Sequence, residues 1–291
     1  MSHKAGFVNI VGSPNVGKST LMNQLMGHKM SIVTPKAQTT RHRILGIVNE
    51  EDYQVVFSDT PGVVNSAYAL HDAMMSYVNT SIQDADVLIF ITDIFEDEMN
   101  HKETLEKIQK LKIPVVTLIN KIDLGSQEKI MERITYWQER LPNSYVYLLS
   151  ALHGFNIDLL WERILKSIPE CPPYYDKDDL SDRPMRFFIS EMIREKIFIH
   201  CQKEVPYSSQ IEIEEYLEEQ DLIKIRALII VERDSQKGII IGKGGEMLKR
   251  IGREARHEIE RFVDKKVFLE TFVKVDKDWR SSDSKLKKYG Y

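Results

Sequence analysis

The sequence predicts two domains: an α/β domain on a mixed, mostly parallel sheet, then a smaller α+β domain. Three observations carry that prediction. Short apolar strands alternate with amphipathic helical periods from residue 5 to about residue 168. The octapeptide Gly12-Ser13-Pro14-Asn15-Val16-Gly17-Lys18-Ser19 joins the first strand to the first helix and fits Gly-x-x-x-x-Gly-Lys-Ser, a loop that cradles phosphates. Near the other end, Gly242-Lys243-Gly244-Gly245 sits in the order helix, strand, strand, helix, loop, helix, strand.

Residues 7–11 form the first apolar strand, and Leu21, Met22 and Leu25 mark the helix that Lys18, Ser19 and Thr20 open. Residues 45–48 and 53–58 flank the polar turn Asn49-Glu50-Glu51-Asp52, as an antiparallel hairpin would. Further strands read at 87–92, 115–119 and 145–149. Helical periods separate them at Leu105, Ile108 and Leu111, then at Ile130, Ile134, Trp137 and Leu141. Residues 169–184 carry four prolines and the acidic residues Asp176, Asp178 and Asp179, and read as a semi-rigid linker. The domain expected from 185 to 291 starts with a helix at Phe188, Met192, Ile193 and Ile197. Strands follow at 210–216 and 224–233, then a helix through Leu248, Ile251, Ala255, Ile259 and Phe262, and a last strand at 267–275. Residues 228–230 and 239–241 are expected to lie mostly in the core.

Several function classes fall away on composition. The 291 residues are 42% hydrophobic and 29% charged, and no apolar run approaches the roughly 18 residues of a membrane span. Cys171 and Cys201 lack metal spacing, so a reduced cytoplasmic setting is expected; the chain is also expected to be a monomer. Read from Met1, the early strand leaves no room for a signal peptide, and Ser2 offers no site for myristoylation. The net charge of −4 is uneven: residues 1–182 hold 17 basic and 24 acidic side chains, residues 183–291 hold 23 and 20. Lys237, Lys243, Lys249, Arg250, Arg253 and Arg256 face only Glu246 and Glu254 within 237–256, a local basic patch suited to nucleic acid.

The phosphate loop supplies Lys18 for the terminal phosphates and Ser19 for Mg²⁺, with the positive end of the helix behind them. Asp59-Thr60-Pro61-Gly62 ends a strand, where the carboxylate can hold Mg²⁺ through water and Gly62 can face the γ-phosphate. Asn120-Lys121-Ile122-Asp123 ends the next strand but one. Its carboxylate can accept the ring N–H and the exocyclic amine of guanine, and such a site rejects the wrong base by on the order of 10⁴-fold. Ser150-Ala151-Leu152 follows the last strand, where the Ala151 N–H can meet the guanine carbonyl. These four segments, in this order and each after a strand, resemble the translation-factor-like GTPases over residues 5–168. The resemblance implies a P-loop GTPase domain binding GTP and GDP. It casts Gln38-Thr39-Thr40-Arg41 as the first switch, with Thr40, or else Thr39, as metal ligand beside Ser19 and Asp59. Lys18, Asn15, Thr40 and Gly62 are then the residues expected to act on the transition state. GTPases of the Ras kind place a Gln after the Asp-x-x-Gly to orient water; Val63 and Val64 stand there in this chain. Asn15 resembles the K⁺-ligating Asn of potassium-activated relatives, with a loop or capping Asn as the other reading.

In the second domain, Gly242, Gly244 and Gly245 would let a nucleic-acid backbone approach, with Lys243 reaching a phosphate and Lys249, Arg250 and Arg253 on the following helix. The element order resembles a type II KH domain. The basic end with Lys277, Arg280, Lys285, Lys287 and Lys288 reads as extra phosphate contacts or as a disordered tail. A GTPase domain (1–168), a proline linker (169–184) and a KH domain (185–291) together resemble a family of bacterial ribosome-assembly GTPases. The residues that carry this are Thr39-Thr40-Arg41, Pro172-Pro173-Tyr174-Tyr175 and Ile193-Arg194-Glu195-Lys196. The resemblance implies an RNA chaperone for the 3′ region of small-subunit ribosomal RNA, acting in maturation of the small ribosomal subunit. It also implies peripheral association with the inner membrane. Nucleotide state is expected to gate RNA binding through residues 169–184. The competing readings are an RNA-binding scaffold with a vestigial nucleotide site and a membrane-associated regulatory GTPase.

Overall fold

The computed structural model describes residues 3–64, 67–96 and 102–291; Ser2 lies outside them. The chain divides into two compact units. The first comprises Met1–Ser31, Thr40–Ala67 and His71–Asp182, and the second Ile32–Thr39, Tyr68–Leu70 and Arg183–Tyr291. In order the chain runs β1 (Lys4–Val11), α1 (Lys18–Met26), β2 (Ile44–Asn49), β3 (Tyr53–Asp59), α2 (Ala69–Gln83), β4 (Val87–Asp93), α3 (Lys102–Gln109), β5 (Val115–Asn120), α4 (Gln127–Arg140), β6 (Tyr145–Leu148) and α5 (Ile157–Ser167).

The six strands line up as β2-β3-β1-β4-β5-β6, with only β2 antiparallel to its neighbour. All residues of β4 and β5 are buried, the mark of a parallel sheet covered on both faces. Val78 and Ile82 of α2, Ile108 of α3 and Trp137 of α4 pack with Leu88, Phe90 and Ile119 on one face. Register pairs Ile10 with Asp59 and Asp93 with Asn120, which brings the motif-bearing strand ends to one rim of the sheet.

Residues 169–182 belong to the first unit by their contacts, whereas the sequence reading ended that domain at 168. Gln54, fully buried in β3, does much of the fastening. Its side-chain oxygen accepts from the N–H groups of Tyr174 (2.7 Å) and Tyr175 (3.0 Å), and its amide donates to the Tyr175 carbonyl at 2.9 Å. Further on, the Ile47 N–H donates to the Leu180 carbonyl at 2.9 Å.

The second unit runs α6 (Met185–His200), β7 (Gln210–Glu218), β8 (Leu222–Val231), α7 (Asp234–Ile241), α8 (Glu246–Val263), β9 (Lys266–Val275) and α9 (Asp283–Lys288). Its sheet order is β7-β8-β9, antiparallel then parallel. Ile193 and Ile197 of α6 and Ile251, Ala255 and Ile259 of α8 pack against Ile225, Ala227 and Ile229 of β8. Two expectations change here. Of 239–241 only Ile240 is buried and Ile239 is half exposed, because a helical period turns one residue in three inward. The basic end is folded rather than loose. Trp279 is fully buried, its indole N–H donates to the Ser208 carbonyl at 3.0 Å, and Tyr289 and Tyr291 pack on its ring. Arg280 and Lys285 there are spent on ion pairs with Glu232 and Asp276.

Candidate functional site

The phosphate loop lies between β1 and α1, where the sequence places it. Gly17 takes a φ of 106°, and a side chain there would run into the Asn120 amide 2.2 Å away. Lys18 is buried and donates to the carbonyls of Gly12 (3.0 Å) and Ser13 (2.7 Å). Burial pushes its pKa down to about 8 against the opposing pull of Asp59 and Glu96. Gly12, Ser13, Val16 and Lys18 are buried, Pro14, Ser19 and Thr20 partly so, and Asn15 is exposed with a φ of 64°.

Beside Lys18, Asp59 at the end of β3 is fully buried. Its Oδ2 accepts from the Ser19 hydroxyl at 2.7 Å and from Thr40 at 3.5 Å, while its Oδ1 has no hydrogen-bond partner among the described residues. Burial raises its carboxyl pKa, opposed by the Ser19 bond and the Lys18 charge. An orphaned buried carboxylate oxygen with two hydroxyls alongside fits a hard divalent cation such as Mg²⁺, phosphate oxygens and water completing the shell. The two adjacent threonines bond differently. The Thr40 hydroxyl lies 2.9 Å from that of Ser19, whereas the Thr39 hydroxyl is taken by Thr34 (2.6 Å) and the Lys36 carbonyl (2.7 Å). Thr60 is buried, bonding the Ile10 carbonyl at 2.7 Å. Gly62 backs onto the main chain of Pro14. Val63 is buried among Val11, Val78 and Phe90, so it turns into the core rather than toward the phosphates.

The base-reading segments meet through one side chain. Asn120 donates to the Val16 carbonyl at 2.7 Å and accepts from the Ala151 N–H at 2.9 Å, tying three loops together. The Ala151 N–H, expected to face a guanine carbonyl, is engaged in this joint. Asp123 accepts from the Ser150 hydroxyl at 2.6 Å, which is the main cause of its lowered pKa, with His153 a lesser one. A carboxylate held ionised and aimed by a hydroxyl is what a base with two donors needs. Lys121, in the left-handed region at φ 60°, pairs with Asp93 at 2.6 Å, and Leu152 is exposed.

Sequence reasoning missed several partners. Glu96 bonds the hydroxyls of Ser13 and Thr92, and Asp93 anchors Lys121. Asn23 of α1 takes the N–H groups of Met30 and Ser31 and bonds the Ser31 carbonyl. Only Asp93, an acidic residue at a strand's carboxyl end, carried a local signal.

In the second unit, Gly242, Gly244 and Gly245 all have positive φ, and around Gly244 and Gly245 an added Cβ meets nothing within 4 Å. The loop is open outward at the N-terminus of the 18-residue α8, with the Gly245 N–H turned back to the Gly242 carbonyl at 3.2 Å and no side-chain cap on the helix. Lys243, Lys249 and Arg253 are exposed, and Arg250 also bonds Glu254 at 3.1 Å.

Fold and site together define a P-loop protein built to hold a guanine nucleotide, joined to a KH domain. Family models agree: one described as a 50S ribosome-binding GTPase matches residues 7–121 and one described as a KH domain matches residues 204–280. GTPase Era of Staphylococcus haemolyticus is 41% identical over 99% of this chain and 97% of its own length. That of Geotalea uraniireducens is 46% identical over 99% and 98%. The chain belongs to the GTPase Era family, and it is a GTPase. Two crystal structures are each 39% identical to it, with 99% of both chains covered and a TM-score of 0.94. One is of Era with MgGDPNP and nucleotides 1506–1542 of 16S ribosomal RNA, the other of a variant of Aquifex aeolicus Era with GDP·AlF4⁻. Among the described residues no helix is long and apolar enough to cross a membrane.

Proposed function

We propose that this chain binds and hydrolyses GTP with Mg²⁺ in the first unit and, in its GTP state, takes the 3′ region of small-subunit ribosomal RNA on the KH loop. It would thereby assist maturation of the small ribosomal subunit in the cytoplasm. The observation that supports the first half is the Asn120 joint with Asp123 held ionised beside it, an arrangement suited to reading guanine. Asp123 accepts the two guanine donors, Lys18 meets the terminal phosphates, and Ser19, Thr40 and Asp59 hold the metal. Bound Mg²⁺ supplies charge for the developing phosphate anions. Val63 is buried and apolar, so water is positioned from elsewhere. Asn15 stands exposed on the loop where a K⁺ held against the phosphates could act with Lys18.

The RNA half is supported by the open glycine loop and by the RNA in the crystal structure of the full-length relative. The description of the first family model names the large subunit but covers only residues 7–121. The relative bound to 16S RNA covers 99% of the chain, so the small-subunit reading is preferred. The test is binding of an oligonucleotide from the 16S 3′ region to the protein with GDP and with a non-hydrolysable GTP analogue. Tighter binding with the analogue is expected; equal affinity rejects the gating.

A further inference from the structure

The segment just before Thr40 is held by an element outside the phosphate loop and the base-reading loops. Residues Ile32–Thr39 fall in the second unit, and three grips fasten them to α6. Glu195 accepts from the Val33 N–H at 3.2 Å. The Lys36 ammonium bonds the carbonyls of Phe198 and Cys201 at the C-terminus of α6, which otherwise lack helical partners. Arg194 donates to the Thr39 carbonyl at 2.6 Å.

Arg194 is the informative member. Its side chain and that of Glu191 are buried, and the two pair through both Nε (2.8 Å) and Nη2. Two buried charges on one helix face are costly to desolvate, and a packing role alone is served as well by apolar side chains. What apolar side chains cannot do is donate to Thr39. The Thr39 carbonyl and the Thr40 N–H belong to one planar peptide unit, so holding that oxygen restrains the unit from which Thr40 projects. Thr40 follows Thr39 by one Cα spacing, about 3.8 Å, so a large withdrawal of Thr40 from Ser19 and Asp59 pulls on the Thr39 bond to Arg194.

We infer that α6, through Arg194 braced by Glu191, is the handle by which the KH unit senses whether Thr40 is engaged at the nucleotide. The signal then runs through Ile32–Thr39 rather than through residues 169–184. Arg194 is a positioning residue, acting on the metal ligand through the 39–40 peptide. This inference rests on the nucleotide gating proposed above.

The test compares RNA affinity with GDP and with a non-hydrolysable GTP analogue in three proteins: native, Glu191→Leu/Arg194→Met, and Lys36→Met. The double variant removes both charges together, leaving neither buried alone. Lys36→Met leaves the α6 side chains untouched, so it still tests the handle where the double variant fails to fold. Native protein is expected to show a preference of about fivefold or more for the analogue state, within the usual range of coupling. Both variants should bind RNA with GDP as native does, but lose the preference to within about twofold. The double variant should also need several-fold more Mg²⁺ for half-maximal analogue binding, a shift that loss of packing alone would not produce. A native preference that survives in both variants overturns the handle and leaves the gating standing. A native protein with no preference overturns both.

Discussion

At the scale of single residues, the site works by placing charges where they are uncomfortable until a ligand arrives. Lys18 titrates near pH 8 because it is buried among carbonyls. Its folded pKa lies below the 10.5 of a free lysine, so between those values the unfolded chain holds more protons. Stability of the nucleotide-free protein therefore gains from this group as pH rises from about 8. Triphosphate binding needs the ammonium and goes the other way, falling up to about tenfold per pH unit above 8. Calorimetry at about pH 9 in two buffers of different ionisation enthalpy should show proton uptake on binding; none would mean Lys18 is already charged. Asp123 offers a second check. Replacing it by Asn removes two charge-assisted bonds to guanine, worth about 1.5 kcal/mol each, so GTP affinity should drop on the order of 10²-fold. Xanthosine triphosphate, which carries a carbonyl where guanine has its amine, should gain; competition binding reads both. The motif residues themselves were legible in the sequence because each lies in a short loop after a strand. Thr39 and Thr40 were not separable there: neighbouring threonines look alike until one hydroxyl is spent on Thr34 and the other meets Ser19. The Asn120 bonds, reaching back to Val16 and on to Ala151, depend on strand register and left no local trace.

At the scale of elements, periodicity predicted the six strands of the first sheet and the helix, strand, strand, helix, loop, helix, strand run of the second unit, but singled out none of α2, α5 and α9. It misjudged how short α7 presents its isoleucines, since three in a row cannot share one face of a helix. Its reading of the basic end left out Trp279, Tyr289 and Tyr291, the apolar anchors that hold that end in place. The glycine loop yields an element-level prediction with an internal control. Gly244 has open space around its Cβ position, and Asp tolerates its φ of 61° better than most residues. Gly244→Asp should leave the KH unit folded while setting a carboxylate where phosphate would lie, cutting RNA affinity by about tenfold or more. Gly242→Ala fails differently: its Cβ would lie 2.7 Å from that of Met247, with φ at 71°. That variant should melt earlier, by about 1–3 kcal/mol. Thermal melts and filter binding separate the two; equal loss of stability in both would remove the loop's claim to an open RNA face.

At the scale of the whole chain, the units do not follow the sequence in blocks. A stretch read as a spacer is fastened to the first sheet, and the eight residues Ile32–Thr39, which end on the first half of the expected switch, are claimed by the second unit. Neither was visible in the sequence, because proline and acidic content reports stiffness and not what the segment lies against. The fastening matters for anyone who takes the protein apart. β2 is an outermost strand, and its free side is covered by this same chain: Ile47 bonds Leu180, Leu45 bonds Ser181 and Asp182, and Asn49 bonds Asp179. A fragment stopped at residue 168 would present a bare β-edge able to recruit its twin from another molecule. Light scattering should show such a fragment oligomerising as concentration rises, while one continued through Asp182 stays monodisperse. The proline-rich stretch would then be a built-in guard against clumping, protecting the newly made enzyme from itself.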